Sequence, residues 1–329
     1  MHAIVCEAFG PINQLKLQEV PDPVLKSSDV IIDVGAASVN FPDALIVQGL
    51  YQNKPPFPFS PGHELAGIIS EVGADVLGFK VGDRVVAIPG IGGFAEKVMV
   101  NGSRVFPLTP KMSMEEGAAL ALTYGTSLHA LQNIAKLQRG ETLLVLGASG
   151  GVGAAAIELG KIMGAKVIAA ASTQEKLEFC KNLGADILLN YDTDDLKTVV
   201  KEATLGKGCD VVYDAVGGKY SEPAMRSLGW RGRFLVVGFA AGEIPKIPLN
   251  LALLSERSIL GVFWGDWVRR NPEGHLQNME LLTGWFESKA LKPVISARFD
   301  LEHTVQAIEH LASRKAMGKV VVNINPHIQ

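Results

Sequence analysis

The chain has 329 residues, enough for two domains or one large one. A composition of 47% hydrophobic and 20% charged residues is ordinary for a globular protein and excludes wholesale disorder. Against 34 acidic side chains stand 31 basic ones, a net charge of −3, so no basic excess exists to neutralise phosphates and nucleic-acid binding is disfavoured.

The N-terminus, Met1-His2-Ala3-Ile4-Val5-Cys6-Glu7, has neither the basic start nor the apolar run of a secretory signal. Cys6, Cys180 and Cys209 are too scattered for a disulfide framework, which points to a reducing, cytoplasmic setting. Up to residue 121 the chain reads as short strands, among them 30–34, 66–73 and 81–86. Turn signals punctuate them at Pro55, Pro56, Pro58, Pro61, Gly62, Gly90, Gly92 and Gly93. Such spacing predicts a β-rich, partly open barrel-like domain.

Strands and helices then alternate. Strands are expected over 141–147, 166–171, 186–189, 210–215, 233–238 and 257–263. Helices are expected over 154–163, 174–183, 194–203 and 220–228. The strands are apolar throughout, which predicts a parallel sheet covered on both faces. The most apolar stretch, 143–171, is broken by Glu158, Lys161 and Lys166 and cannot be read as a membrane span. From Asp266 the character is mixed again, with helices over 273–288 and 301–313 and a strand over 318–323. We therefore expect one discontinuous domain, 1–121 with 266–329, and a nucleotide-binding α/β domain, 122–265, inserted in it.

The strongest motif is Gly147-Ala148-Ser149-Gly150-Gly151-Val152-Gly153. It follows a strand and opens a helix, the context in which residues without Cβ let a pyrophosphate approach free N–H groups at a helix start. A dinucleotide with a free ribose 2′-hydroxyl calls for an acid at the end of the next strand. That strand instead ends Ala169-Ala170-Ala171-Ser172-Thr173, with Lys176 one helical turn on and Tyr191 after the third strand. A hydroxyl, a cation and a phenol suit a 2′-phosphate, so NADP(H) is favoured over NAD(H). Ser172 doubles as a candidate helix N-cap.

Further motifs are Ser38-Val39-Asn40-Phe41-Pro42-Asp43, Gly49-Leu50-Tyr51-Gln52, Pro58-Phe59-Ser60-Pro61-Gly62-His63-Glu64 and Val81-Gly82-Asp83-Arg84-Val85. Downstream lie Leu122-Thr123-Tyr124-Gly125-Thr126, Asp214-Ala215-Val216-Gly217-Gly218 and Gly318-Lys319-Val320. With these, in this order over essentially the whole length, the chain resembles the zinc-free quinone oxidoreductases of the medium-chain dehydrogenase/reductase superfamily. The resemblance implies a GroES-like β-rich domain, a Rossmann doubly wound parallel-sheet domain and a cofactor cleft between them. It also implies a homodimer joined along the Rossmann edge strand, here 257–263. Carried over to this chain, it implies Asn40 near the nicotinamide and Thr123 at the cofactor. Ser149 lies in the phosphate turn, and Ser172, Lys176 and Tyr191 meet the adenosine end. Val216, Phe239, Phe263 and Trp264 line the nicotinamide side, and Lys319 lies near the phosphates.

Zinc-dependent relatives place a cysteine at Asn40, a histidine at His63 and a further cysteine near Thr123. Asparagine is a poor zinc ligand, and 118–128 contains no Cys, His, Asp or Glu, so no metal is expected. Without a Lewis acid, hydride transfer favours an acceptor that is already electrophilic. The expected activity is therefore NADPH-dependent, two-electron reduction of a small quinone or another activated enone. Tyr51 is the principal hydrogen-bond donor and candidate proton source, Asn40 holds cofactor or substrate, and Tyr124 is the third catalytic candidate. The alternatives are an enoyl-thioester reductase and a non-catalytic NADPH-binding protein of crystallin-like or regulatory type.

Overall fold

The chain's internal contacts divide it into two units, Met1–Leu122 with the segment from Lys292 onward, and Thr123–Leu291. The computed structural model describes residues 1–328. The first unit opens with a ribbon of β1 (His2–Val5) and β2 (Lys16–Glu19). It continues through β3 (Asp29–Val39), α1 (Phe41–Val47), β4 (Glu64–Val72), β5 (Arg84–Ala87), β6 (Lys97–Asn101) and β7 (Val105–Pro107). Helix α2 (Met114–Leu128) passes from one unit's residues into the other's.

The second unit alternates β8 (Thr142–Leu146), α3 (Gly151–Ile162), β9 (Lys166–Ala171), α4 (Gln174–Asn182), β10 (Ile187–Asn190) and α5 (Leu196–Ala203). Then come β11 (Cys209–Asp214), α6 (Ser221–Ser227), β12 (Leu228–Val236), α7 (Asn250–Leu253) and β13 (Ser258–Gly261). Two further helices, α8 (Trp264–Arg270) and α9 (Pro272–Glu287), end it. β14 (Ile295–Asp300), α10 (Thr304–Ala312) and β15 (Lys319–Asn323) belong to the first unit.

The first unit is GroES-like. Its sheet runs β14-β15-β3-β4-β5-β7, with β6 also paired to β3, and is antiparallel except between β14 and β15. β3 is its hub because three strands pair with it. Near its start, Val30 and Ile32 share one buried core with Leu65, Ile69, Val85, Val320 and the helix residues Ile46 and Ile308. Each such side chain contributes about 1.5–3 kcal/mol on burial.

The second unit is a Rossmann domain. Its sheet order is β10-β9-β8-β11-β12-β13, parallel at every pairing. Numbered by appearance, that order is 3-2-1-4-5-6, the doubly wound arrangement. All five residues of β8 are buried, as a sheet covered on both faces requires. The order reverses between β8 and β11, and ligands of such sheets bind outside the carboxyl ends of strands at that point.

Three expectations need correction. The segment 266–291 belongs to the second unit, so the return to the first comes at Lys292. The periodicity of α9 is legible, but not which unit its apolar face covers. Here His275, Asn278, Met279 and Leu282 are buried, and Asn278 donates to Asn133 at 2.9 Å. The first unit is also less uniformly stranded than expected. In α1, Pro42 lies in the first turn and Asp43 accepts the Asn40 N–H (2.7 Å). In α2, Ser113 and Glu116 cap each other reciprocally. Both were readable as helix starts. Lastly, the edge strand is Ser258–Gly261, shorter than the expected 257–263. Among the described residues, no helix is long and apolar enough to cross a membrane.

Candidate functional site

The glycine turn lies at the switch point. Gly147 leaves β8 at φ +66°, a conformation that a side chain would strain, and a Cβ there would strike Val216 at 2.8 Å. A Cβ on Gly153 would fall 2.2 Å from the Gly147 carbonyl, so only glycine lets α3 sit against the turn. The N–H groups of Gly151, Val152 and Gly153 have no hydrogen-bond partner among the described residues. Three unsatisfied donors at the positive end of a 12-residue helix form a cradle for an anion. This local structure fits a dinucleotide pyrophosphate.

At the end of β9 the cap of α4 is Thr173, whose Oγ1 accepts the Lys176 N–H at 3.3 Å. The candidate cap Ser172 is thus not the cap, and its half-buried hydroxyl takes no hydrogen bond among the described residues. The Tyr191 N–H donates to Ala171 at 3.2 Å, which brings that tyrosine to the same strand end. Its ring lies 4.3 Å from that of Tyr220, whose hydroxyl donates to Asp192 (2.9 Å). No acid occupies the end of β9.

Beside the turn, β11 ends in Asp214. Its carboxylate accepts the N–H groups of Val216 and Gly217, both at 2.8 Å, and the Ser221 hydroxyl at 2.5 Å. Sequence reading missed Asp214, although an aspartate two and three residues before amides in a Gly-Gly segment is a turn signature. Asp214 holds Val216 next to Gly147. Phe239 packs against Gly217, where a Cβ would meet its ring at 2.9 Å. Val216 and Phe239 thus come together near the phosphate turn.

Other candidates lie elsewhere. Phe263 is 58% exposed, while Trp264 is buried against Gly125 of α2 and its indole N–H has no hydrogen-bond partner among the described residues. Trp264 is therefore a packing residue of the second unit rather than an open wall. Tyr124, expected to be a catalytic group, is buried and donates its hydroxyl to Glu158. Burial first, and then the Glu158 charge, pushes its phenol well above the ordinary value, so it holds its proton. Thr123 is buried on the same helix.

In the first unit, Lys319 is not open to a phosphate. Its ammonium is buried and donates to Glu64 and to Asn40, both at 2.8 Å. Glu64, fully buried, also accepts from Ser38 (2.5 Å), Asn40 (2.9 Å) and the Leu122 N–H (2.6 Å). Asn40, expected at the nicotinamide, has both ends of its amide engaged in this cluster. Ionic groups this deep persist only when fully paired, and this set is.

A second cluster lies beside it. Asp43 is fully buried, accepting the N–H groups of Asn40 and Gly62 and meeting Nδ1 of His63 at 2.5 Å. The Tyr51 ring stands edge-on to the His63 ring, with centroids 5.9 Å apart. Burial, and secondarily the Asp43 charge, pushes the Tyr51 phenol up. Asp43 was also missed, although Asn40-Phe41-Pro42-Asp43 carries an N-cap pattern.

These residues do not fit a zinc ion. Asn40 is consumed by Lys319 and Glu64 and position 123 is threonine, so Nε2 of His63 would be a single ligand where a catalytic zinc needs three. The one group of three potential ligands among the described residues, Asp300, Glu302 and His303, is exposed.

Residues 26–110 match the family described as Alcohol dehydrogenase GroES-like domain, and 151–280 that described as Zinc-binding dehydrogenase. The chain is 37% identical over 311 residues to a quinone oxidoreductase-like protein 2 from Bos taurus, covering 94% of this chain and 89% of that protein. It is 34% identical to a quinone oxidoreductase from Rattus norvegicus, covering 98% and 97%. Among solved structures, an Escherichia coli quinone oxidoreductase complexed with NADPH superposes with a TM-score of 0.92 at 26% identity, covering 98% of this chain and 100% of that one.

Proposed function

Because this chain belongs to the quinone oxidoreductase branch of the medium-chain dehydrogenase/reductase superfamily, we propose that it is an NADPH-dependent two-electron reductase of quinones or other activated enones. The observation that carries this reading is the switch-point turn, with three N–H groups of α3 lacking partners among the described residues beside a β9 end without an acid. NADPH supplies the hydride.

The chain's own residues bind, orient and protonate. The N–H groups of Gly151, Val152 and Gly153 receive the pyrophosphate. Ser172, Lys176 and Tyr191 receive the 2′-phosphate, whose added charge and oxygens reward a cation and hydroxyls. Val216 and Phe239 give the nicotinamide an apolar surface. Tyr51 donates its phenolic proton to the acceptor oxygen as charge develops there. With no zinc site in the donor set, hydrogen bonds must polarise the acceptor, so acceptors that are electrophilic beforehand are favoured.

The same reading makes the protein a homodimer. β13 is the free edge of the parallel sheet, and Leu253, Leu254 and Ile259 beside or on it are exposed. Sedimentation as a monomer at micromolar concentration removes this part of the proposal.

The main test follows loss of NADPH or NADH absorbance against a panel of benzoquinones, naphthoquinones, enones and enoyl-CoA thioesters. Turnover of quinones or enones with at least tenfold preference for NADPH is expected. Turnover of thioesters alone replaces the substrate class, and tight NADPH binding without any turnover replaces the enzyme reading.

A further inference from the structure

His63 is adjacent in sequence to the sealed Glu64 but has a different environment. Its Nδ1 meets a carboxylate that is itself fully buried and fixed by two backbone N–H groups, those of Asn40 (2.7 Å) and Gly62 (3.1 Å). Gly62 holds that N–H in place at φ +109°, where a Cβ would strike the Gly93 backbone at 2.7 Å. An ionised carboxylate only accepts, so Nδ1 carries hydrogen and the exchangeable position of the ring is Nε2. Nε2 has no hydrogen-bond partner among the described residues, and it is not sealed from solvent, the side chain being 12% exposed. The Tyr51 hydroxyl also makes no hydrogen bond among the described residues, and the two rings are in edge-to-face contact. A phenol pushed up by burial holds its proton well at neutral pH. Once it has donated, the phenolate must be reprotonated before the next cycle.

We propose that His63, oriented by Asp43, is the relay that returns a proton from solvent to Tyr51 after each reduction. This rests on the reductase reading above and assigns the second half of its proton cycle. In the first half the acceptor takes up a hydride, with its electron pair, from the reduced nicotinamide. The Tyr51 O–H bond breaks, and that proton forms the O–H bond of the reduced product. In the second half the Tyr51 oxygen takes the proton on Nε2 of His63, directly or through one water, and Nε2 is recharged from solvent. Charge and atoms balance as one hydride and one proton per acceptor. Asp43 is a positioning residue that keeps Nε2 on the outer side of the ring.

The test compares the first turnover with the steady state in stopped flow, using NADPH and a soluble 1,4-naphthoquinone. In His63→Ala, Tyr51 starts protonated. The first equivalent of NADPH per site is therefore expected to be oxidised within threefold of the wild-type rate, followed by a steady state about 100-fold slower. KM values should hold within threefold, the solvent isotope effect on kcat should rise, and free imidazole should partly restore the steady state. His63→Gln, which retains the ring's bulk more closely, should show the same burst without rescue by imidazole. Tyr51→Phe should slow the first turnover itself. If both His63 variants keep the wild-type steady state, or lose first turnover and steady state together, the relay is overturned while the reductase reading stands. Wild-type protein that oxidises no NADPH with any acceptor overturns both.

Discussion

Two glycine-bearing turns stand at the carboxyl ends of neighbouring strands β8 and β11, and they use their amide groups in opposite ways. After β11, Asp214 supplies the negative charge from within, and its carboxylate absorbs the N–H groups of Val216 and Gly217 together with the Ser221 hydroxyl. After β8 no side chain among the described residues does so, and the N–H groups of Gly151, Val152 and Gly153 are left without acceptors there. Both turns need positive φ, at Gly147 (+66°) and at Gly217 (+73°). Glycine therefore marks where the backbone must turn, and the missing internal acceptor marks where an outside anion belongs.

The largest effect should come from the self-satisfied turn. Asp214→Ala leaves two amides and a buried hydroxyl without their acceptor, at about 1–3 kcal/mol for each group left unmet. A loss of about 4 kcal/mol in denaturant unfolding is expected. Stability near wild type would mean that water can replace the carboxylate, and the contrast between the turns would lose its force.

At the open turn, Gly153→Ala should act on binding. The new Cβ would fall 2.2 Å from the Gly147 carbonyl and 2.8 Å from the Ala148 Cα, so the helix start must move away from the turn. A displacement of the three donors should weaken NADPH binding, measured by quenching or calorimetry, about 100-fold, or about 3 kcal/mol. Unchanged affinity would show that the cradle does not hold the pyrophosphate.

The turn and its strands were legible because one local pattern, strand, glycines, helix, fixes them all. The alternation 141–238 likewise reads directly as a parallel sheet. What escaped depends on contacts distant in sequence. Lys319 reaches Glu64 and Asn40 across more than 250 residues, and nothing near Gly318-Lys319-Val320 tells a buried ion pair from a phosphate contact. Tyr124 meets Glu158 only once α2 and α3 pack. The unit to which α9 belongs was hidden for the same reason: a helix's sequence states that it has an apolar face, not what covers it. The signals of Asp43 and Asp214, a helix cap and a turn, are by contrast local and legible in the sequence.

Cofactor choice sharpens the comparison further along the same sheet. Ser172→Asp puts a carboxylate at the end of β9, where it would bond a free ribose 2′-hydroxyl and repel a 2′-phosphate. The ratio of kcat/KM for NADPH over NADH should fall about 30-fold, about 2 kcal/mol of discrimination. Persistence of the wild-type ratio would place the 2′-position elsewhere.

The smallest effect is expected from Lys176→Ala. Lys176 is half-buried in the first turn of α4, so its charge acts on a 2′-phosphate through partly screened space. Losing one charge-assisted contact should weaken NADPH binding about tenfold, or about 1.4 kcal/mol, and leave NADH binding unchanged, because NADH offers no phosphate at that position. The two cofactors thus serve as each other's control. Salt provides a second check: at 0.1 M ionic strength the screening length is about 10 Å and at 1 M about 3 Å, so the wild-type preference for NADPH should shrink towards that of the variant as salt rises. An equal loss for both cofactors, independent of salt, would mean that Lys176 supports α4 rather than the ligand.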